Sequence, residues 1–175
     1  MKSSLRAWLG LDRSTAAEPL DALRELLDAL DRLEPERARY LAQFAYLLGR
    51  VAHADAHVSP GETELMERLV RDEGGLAADQ AMLVVGLAKT ANRLFGGTDN
   101  FIVAREFGET ATSEQKLALM RCLFALSATE GRITIEEERE IQRVGRELRV
   151  DSSELLRLRL EYRRHLPGLG AREDP

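Results

Sequence analysis

Laid over itself at a shift of 75 residues, this sequence repeats a turn set between two apolar stripes. Ala54-Asp55-Ala56-His57-Val58-Ser59-Pro60-Gly61-Glu62 falls on Thr129-Glu130-Gly131-Arg132-Ile133-Thr134-Ile135-Glu136-Glu137. In both copies an acid is followed by a small residue, a variable one, a β-branched apolar one and a hydroxyl, with a glutamate three residues after the hydroxyl. The flanks agree too: Leu48 with Leu123, Val51 with Leu126, Met66 with Ile141 and Leu69 with Val144. Hairpins that present the same apolar face can bury it against one another. The repeat therefore predicts two related helical halves, near residues 40–75 and 115–150, packed about a pseudo-twofold axis.

The rest of the chain predicts helices as well. Leu20, Leu23, Leu26, Leu27 and Leu30 form one stripe over Pro19 to Leu33, and Pro35 opens a second helix that runs to about Ala54. Ser59-Pro60-Gly61-Glu62 has the form of a capping box at the start of a third helix, which Gly74-Gly75 stops. Further helices are expected over Ala77 to Phe95, Asn100 to Phe107, Ser113 to Ala128, Ile135 to Leu148 and Ser152 to Arg164. The apolar residues are mainly Leu and Ala and only 5% of the chain is aromatic, which favours helix packing over sheet. No segment alternates apolar and polar residues over a strand's length. The fold class read from the sequence is all-α, with about seven to eight helices. Residues 1–18 read as an amphipathic leader and linker, 19–166 as the helical domain and 167–175 as a flexible tail.

Several function classes conflict with the composition. A formal net charge of -5 without a dense basic patch argues against nucleic acid as a partner. The basic stretch Arg157, Arg159, Arg163 and Arg164 is interleaved with Leu and reads as a solvated helix face. No run approaches the roughly eighteen apolar residues of a membrane span. In the leader, Leu5, Trp8 and Leu9 share one helical face, suited to docking on its own domain or to peripheral membrane or partner contact. Cys122 is the single cysteine and lies in an apolar run, which fits burial as a small hydrophobe in a reducing, cytoplasmic setting.

The turns hold the candidate chemistry. Glu62 and Glu137 stand where a capping glutamate reaches back to the N-cap amide. Asp55 and Glu130 end the preceding helices, where the helix dipole disfavours an acid, so each calls for a base, an amide nest or a cation. His53 and His57, four residues apart around Asp55, could ligate a transition metal if the helix continued through them. An EF-hand reading fails: in the second half its first and third loop positions would be Leu126 and Ala128, in the first half Val51 and His53. No Ser-His-Asp constellation, phosphate-cradling Gly loop or repeated Glu-x-x-His motif is present.

Ala54-Asp55-x-x-Val58-Ser59-Pro60-x-Glu62 and Glu130-Gly131-x-Ile133-Thr134-x-x-Glu137 resemble the repeated Ala-Asp-Gly … Glu turns of the TerB family, which includes the tellurite-resistance protein TerB and the N-terminal domain of the co-chaperone DjlA. The resemblance covers roughly Leu41 to Tyr162. It implies a compact, pseudo-symmetric helical fold in a cytoplasmic bacterial protein, without enzymatic activity. It also implies a link to tellurite or other chemical stress through metal sensing or membrane-associated complexes. By the same resemblance a divalent cation would be held by Asp55, Glu62, Glu130 and Glu137; from the residues themselves, such carboxylates suit Ca²⁺ or Mg²⁺, and His53 and His57, the weaker candidates, would tilt the site towards Zn²⁺. Ala56 replaces the family's usual Gly and Glu130 its usual Asp. The His-Pro-Asp signature of a J-domain is missing. The function expected is a stress-response interaction module that recruits other proteins. The alternatives are a dedicated metal sensor or buffer and an enzyme of unrecognised type.

Overall fold

The computed structural model describes residues 17–51, 60–94 and 100–167, with the backbone alone for 17–23, 60, 62, 90–94, 100, 101 and 130. Among the described residues there are eight α-helices, one short 3-10 turn and no strand. They are α1 (Ala17–Leu30), α2 (Pro35–Val51), α3 (Pro60–Asp72), α4 (Ala78–Leu94), α5 (Asn100–Thr110), α6 (Ser113–Ser127), the 3-10 turn Ala128–Glu130, α7 (Ile135–Glu147) and α8 (Ser152–Glu161). The leader and the last eight residues of the tail lie outside the described residues.

Helix α2 is the hub. Leu41, Phe44, Leu47, Leu48 and Val51 recur at three- and four-residue steps, and all are buried. The helix packs against α4, α5, α6 and α7. It comes close to α4 at Gly49, where an added Cβ would stand 3.3 Å from the Ala88 carbonyl oxygen. A larger residue there would force α2 and α4 apart.

The repeat is visible in the packing. The 75-residue shift carries Pro60–Asp72 onto Ile135–Glu147, end to end. It also carries most of α2 onto α6. These two helices contact each other, and each reaches across to the other half: α2 touches α7 and α6 touches α3. Such an exchange of partners is what a pseudo-twofold arrangement of duplicated hairpins produces.

Three helix ends differ from the sequence expectation by three residues, and the expected run of α2 beyond Val51 to Ala54 lies outside the described residues. Helix α1 stops at Leu30 instead of Leu33, with the Leu33 N–H donating to the Leu30 carbonyl at 3.0 Å in a tighter turn. The approaching Pro35 disfavours helical backbone at the residue before it. Helix α5 runs on to Thr110, just ahead of Thr112, which caps α6 with Gln115 in a reciprocal capping box. Helix α8 ends at Glu161 rather than Arg164, because the chain then tightens so that His165 N–H donates to the Tyr162 carbonyl at 2.9 Å. The Tyr162 ring stacks on Phe124, 5.4 Å between centroids.

Cys122 is buried, as its apolar neighbours indicate, and burial pushes its thiol up to about 12, with the Glu73 carboxylate adding to the rise. Burial also pushes the Tyr40 and Tyr162 phenols up to about 12. All three acids are harder to ionise folded than unfolded, so their stabilising contribution is complete below their ordinary values near 9 and 10. It is lost as pH rises from there through 12. Stability in urea should be flat in these groups at neutral pH and fall steeply above about pH 9. The Cys122→Ala, Tyr162→Phe double variant should show a shallower fall, and an unchanged slope would contradict this. No helix among the described residues is long and apolar enough to cross a membrane.

Candidate functional site

The second acidic turn can be followed residue by residue. Helix α6 gives way to the 3-10 turn Ala128–Glu130, and Gly131 reverses the chain with φ 88° and ψ -27°. That left-handed conformation costs a side-chain-bearing residue free energy that glycine avoids. The Gly131 N–H closes the turn on the Ala128 carbonyl at 3.0 Å. Ile133 then plunges into the core, and Thr134, extended at φ -72° and ψ 162°, caps α7.

Glu137 serves the cap. Its Oε2 accepts from the Thr134 N–H and the Thr134 hydroxyl, each at 2.8 Å, while the Thr134 Oγ1 accepts from the Glu137 N–H at 3.1 Å. One carboxylate oxygen is thus committed to the turn's own backbone. Three glutamates, Glu136, Glu137 and Glu138, crowd the first turn of α7, where the helix dipole stabilises negative charge. Thr134→Ala should cost about 1 kcal/mol in chemical denaturation. A loss below a few tenths would mean that the box is not holding α7.

A third histidine, which sequence reasoning did not single out, belongs to this turn. The His165 carbonyl accepts from the Ile133 N–H at 2.8 Å, and the His165 ring Nδ1 stands 3.0 Å from the Gly131 carbonyl oxygen. A carbonyl can only accept, so Nδ1 carries the proton of this bond. The segment after α8 therefore clasps the turn on both sides of Arg132. Nothing in the local sequence signals this, since His165 is 34 residues from Gly131 and follows the last apolar stripe.

The other candidate ligands divide as follows. His53, Asp55 and His57 lie outside the described residues. Glu62 is the third residue of α3, as Glu137 is of α7, so the shift places both at the same helical position. Glu130 closes the 3-10 turn, seven residues before Glu137. For Glu62 and Glu130 only the backbone is described. Among the described residues no group of three His, Cys, Asp or Glu side chains stands close enough to hold a metal.

Comparison with known proteins bears on the whole helical region. The family model described as "Tellurite resistance protein TerB" matches residues 41–160. No curated protein and no solved structure matches the chain. The matched segment runs from α2 into α8, covers well over half of the chain and contains both acidic turns. This all-α chain, with its duplicated hairpins and capped acidic turn, belongs to the TerB family.

Proposed function

We propose that the protein is a non-enzymatic, stress-linked interaction module of the tellurite-resistance type, in which a divalent cation at the acidic turns fixes a surface that recruits partner proteins in the cytoplasm. The observation that carries this reading is the TerB match over both duplicated turns. The second turn supports it: its backbone is held by a capping box at one end and by His165 at the other. Pre-organisation of that kind lowers the ordering cost of binding a cation or a partner. Asp55, Glu62 and Glu130 are the ligands proposed. Glu137 would contribute the oxygen that the cap leaves unused. Ca²⁺ or Mg²⁺ suits such a carboxylate set, and recruitment of His53 or His57 would favour Zn²⁺. The reading without enzymatic chemistry is supported at the one cysteine, whose buried, protonated thiol is a poor nucleophile.

Deletion of the gene from its host should lower tolerance to tellurite or to a divalent metal. Complementation with the natural chain should restore it, and complementation with the Asp55→Ala, Glu130→Ala form should not. Unchanged tolerance on deletion, or full rescue by the double variant at equal protein level, would sink the proposal.

A further inference from the structure

A row of acids and a row of arginines share one spacing on two helices that are distant in the chain. A shift of 118 residues carries Asp21, Glu25 and Asp28 of α1, with Asp31 just beyond it, onto Arg139, Arg143 and Arg146 of α7, with Arg149 just beyond it. Residues three and four apart share one side of a helix. On α1 the inner side belongs to Leu27 and Leu30, and Leu26 lies against Gly86 of α4, while Glu25, Asp28 and Asp31 are exposed. On α7 the inner side belongs to Ile141, Val144 and Gly145, and all four arginines are exposed. Arg139, Arg143 and Arg146 line an open cleft of about 430 Å³ there with Glu138 and Gln142.

Two features set the arginine row apart from an ordinary solvated helix face. Arg139, Arg146 and Arg149 form no ion pair with a described residue, and Arg143 alone is held, by Glu140 at 3.0 Å. The nearby acids are engaged elsewhere: Glu138 meets Arg159 at 2.6 Å, and Glu140 and Glu147 meet Arg50. Arg149, moreover, ends α7 in the left-handed conformation, φ 55°, its N–H donating to the Arg146 carbonyl at 3.0 Å. Glycine takes that conformation without strain. An arginine there costs stability and lengthens the positive row by one step.

We propose that the protein self-associates head to tail, the acidic row at α1 of one copy docking along the arginine row at α7 of the next. The intervals from Glu25 through Asp28 to Asp31 and from Arg143 through Arg146 to Arg149 are equal and read the same in both directions. Three pairs therefore form together whichever way the two helices run. Because the two patches differ, each docked copy keeps one patch free and the assembly grows. Exposed ion pairs each contribute little, so the association is weak. The sign of its salt dependence identifies it. Copies of net charge -5 repel one another and salt relieves that repulsion, so an association that salt weakens comes from opposed local charges. This inference is independent of the acidic turns and of any cation there.

The test is sedimentation velocity of the full chain, without divalent cations, at concentrations up to about millimolar. It is run at low ionic strength and in about 1 M salt, where the screening length falls to about 3 Å. The natural chain should associate at low ionic strength and become monomeric in salt. Arg146→Gln with Arg149→Gln, and Glu25→Gln with Asp28→Asn, alter exposed side chains, so each double variant should keep its melting temperature. Each should weaken association about tenfold, two exposed pairs being lost. Mixing the two variants should recover a 1:1 dimer that does not grow, because each supplies the row that the other lacks. A natural chain that stays monomeric at low ionic strength, or a mixture that does, overturns the proposal. So does association that persists in salt or in both variants, which would put the contact elsewhere, as at the exposed Leu156 and Leu160 of α8. Binding of poly-glutamate to a monomeric natural chain, lost in the arginine variant, would give the row to a foreign acidic partner and equally overturn self-association.

Discussion

Arg50→Ala should destabilise the protein by about 3–5 kcal/mol, the range observed when one partner of a buried ion pair is removed. The Arg50 side chain is 6% exposed at the end of α2. Its Nη1 meets Glu147 Oε2 at 2.7 Å and its Nη2 meets Glu140 Oε1 at 2.5 Å, both on α7. Burial works against the charge, but the hydrogen bonds that Arg50 donates to Glu147 and Glu140 outweigh that and hold the guanidinium above its ordinary value. Alanine at this position leaves two mostly buried carboxylates facing each other. Arg143 reaches Glu140 from the exposed side at 3.0 Å and would relieve only one of them. Arg50→Met combined with Glu140→Gln and Glu147→Gln should lose much less than Arg50→Ala, because no charge is left stranded. Urea unfolding distinguishes these cases: a loss under about 1 kcal/mol for Arg50→Ala would mean that the cluster is solvated and does not join the halves.

Phe44→Ala should cost a similar amount, about 3–5 kcal/mol, for a different reason. Phe44 is fully buried on α2, touches Tyr40 through its edge and lies 3.3 Å from the position of a Cβ at Gly74. Its removal opens a cavity at the meeting of α2 with the end of α3 and with Cys122, which also comes within 3.3 Å of that position. Neighbouring helices cannot collapse into the gap without moving the α2–α4 contact at Gly49. Equilibrium unfolding should show the full loss with an unchanged denaturant slope. Phe44→Leu, which conserves most of the volume, should recover more than half of it.

The two substitutions test different parts of the duplicated design, and the sequence revealed those parts unequally. The pseudo-symmetry, the eight α-helices and the Thr134–Glu137 cap could all be read from local pattern, because apolar spacing and cap chemistry act within a few residues. The Arg50–Glu140–Glu147 cluster could not, because an arginine at a helix end looks solvated until another helix covers it. His165 was hidden for a related reason: its bonds to Gly131 and Ile133 depend on where the chain turns after α8. Side chains that take their role from tertiary contact leave no periodic trace. Of the acidic residues, Glu137 is seen engaged in its cap, which is the capping role its position in the sequence suggested.

Thermal unfolding of metal-stripped protein tests the divalent cation proposed at the acidic turns. The midpoint is measured alone and with Ca²⁺, Mg²⁺, Mn²⁺ or Zn²⁺, for the natural chain and for the Asp55→Ala, Glu130→Ala variant. A ligand bound only by the native state raises the midpoint, by an amount equivalent to about 2.7 kcal/mol when its concentration is a hundredfold above the dissociation constant. Such a rise is expected with at least one cation in the natural chain and with none in the variant. A midpoint that no cation moves, or one that moves equally in both proteins, would contradict it.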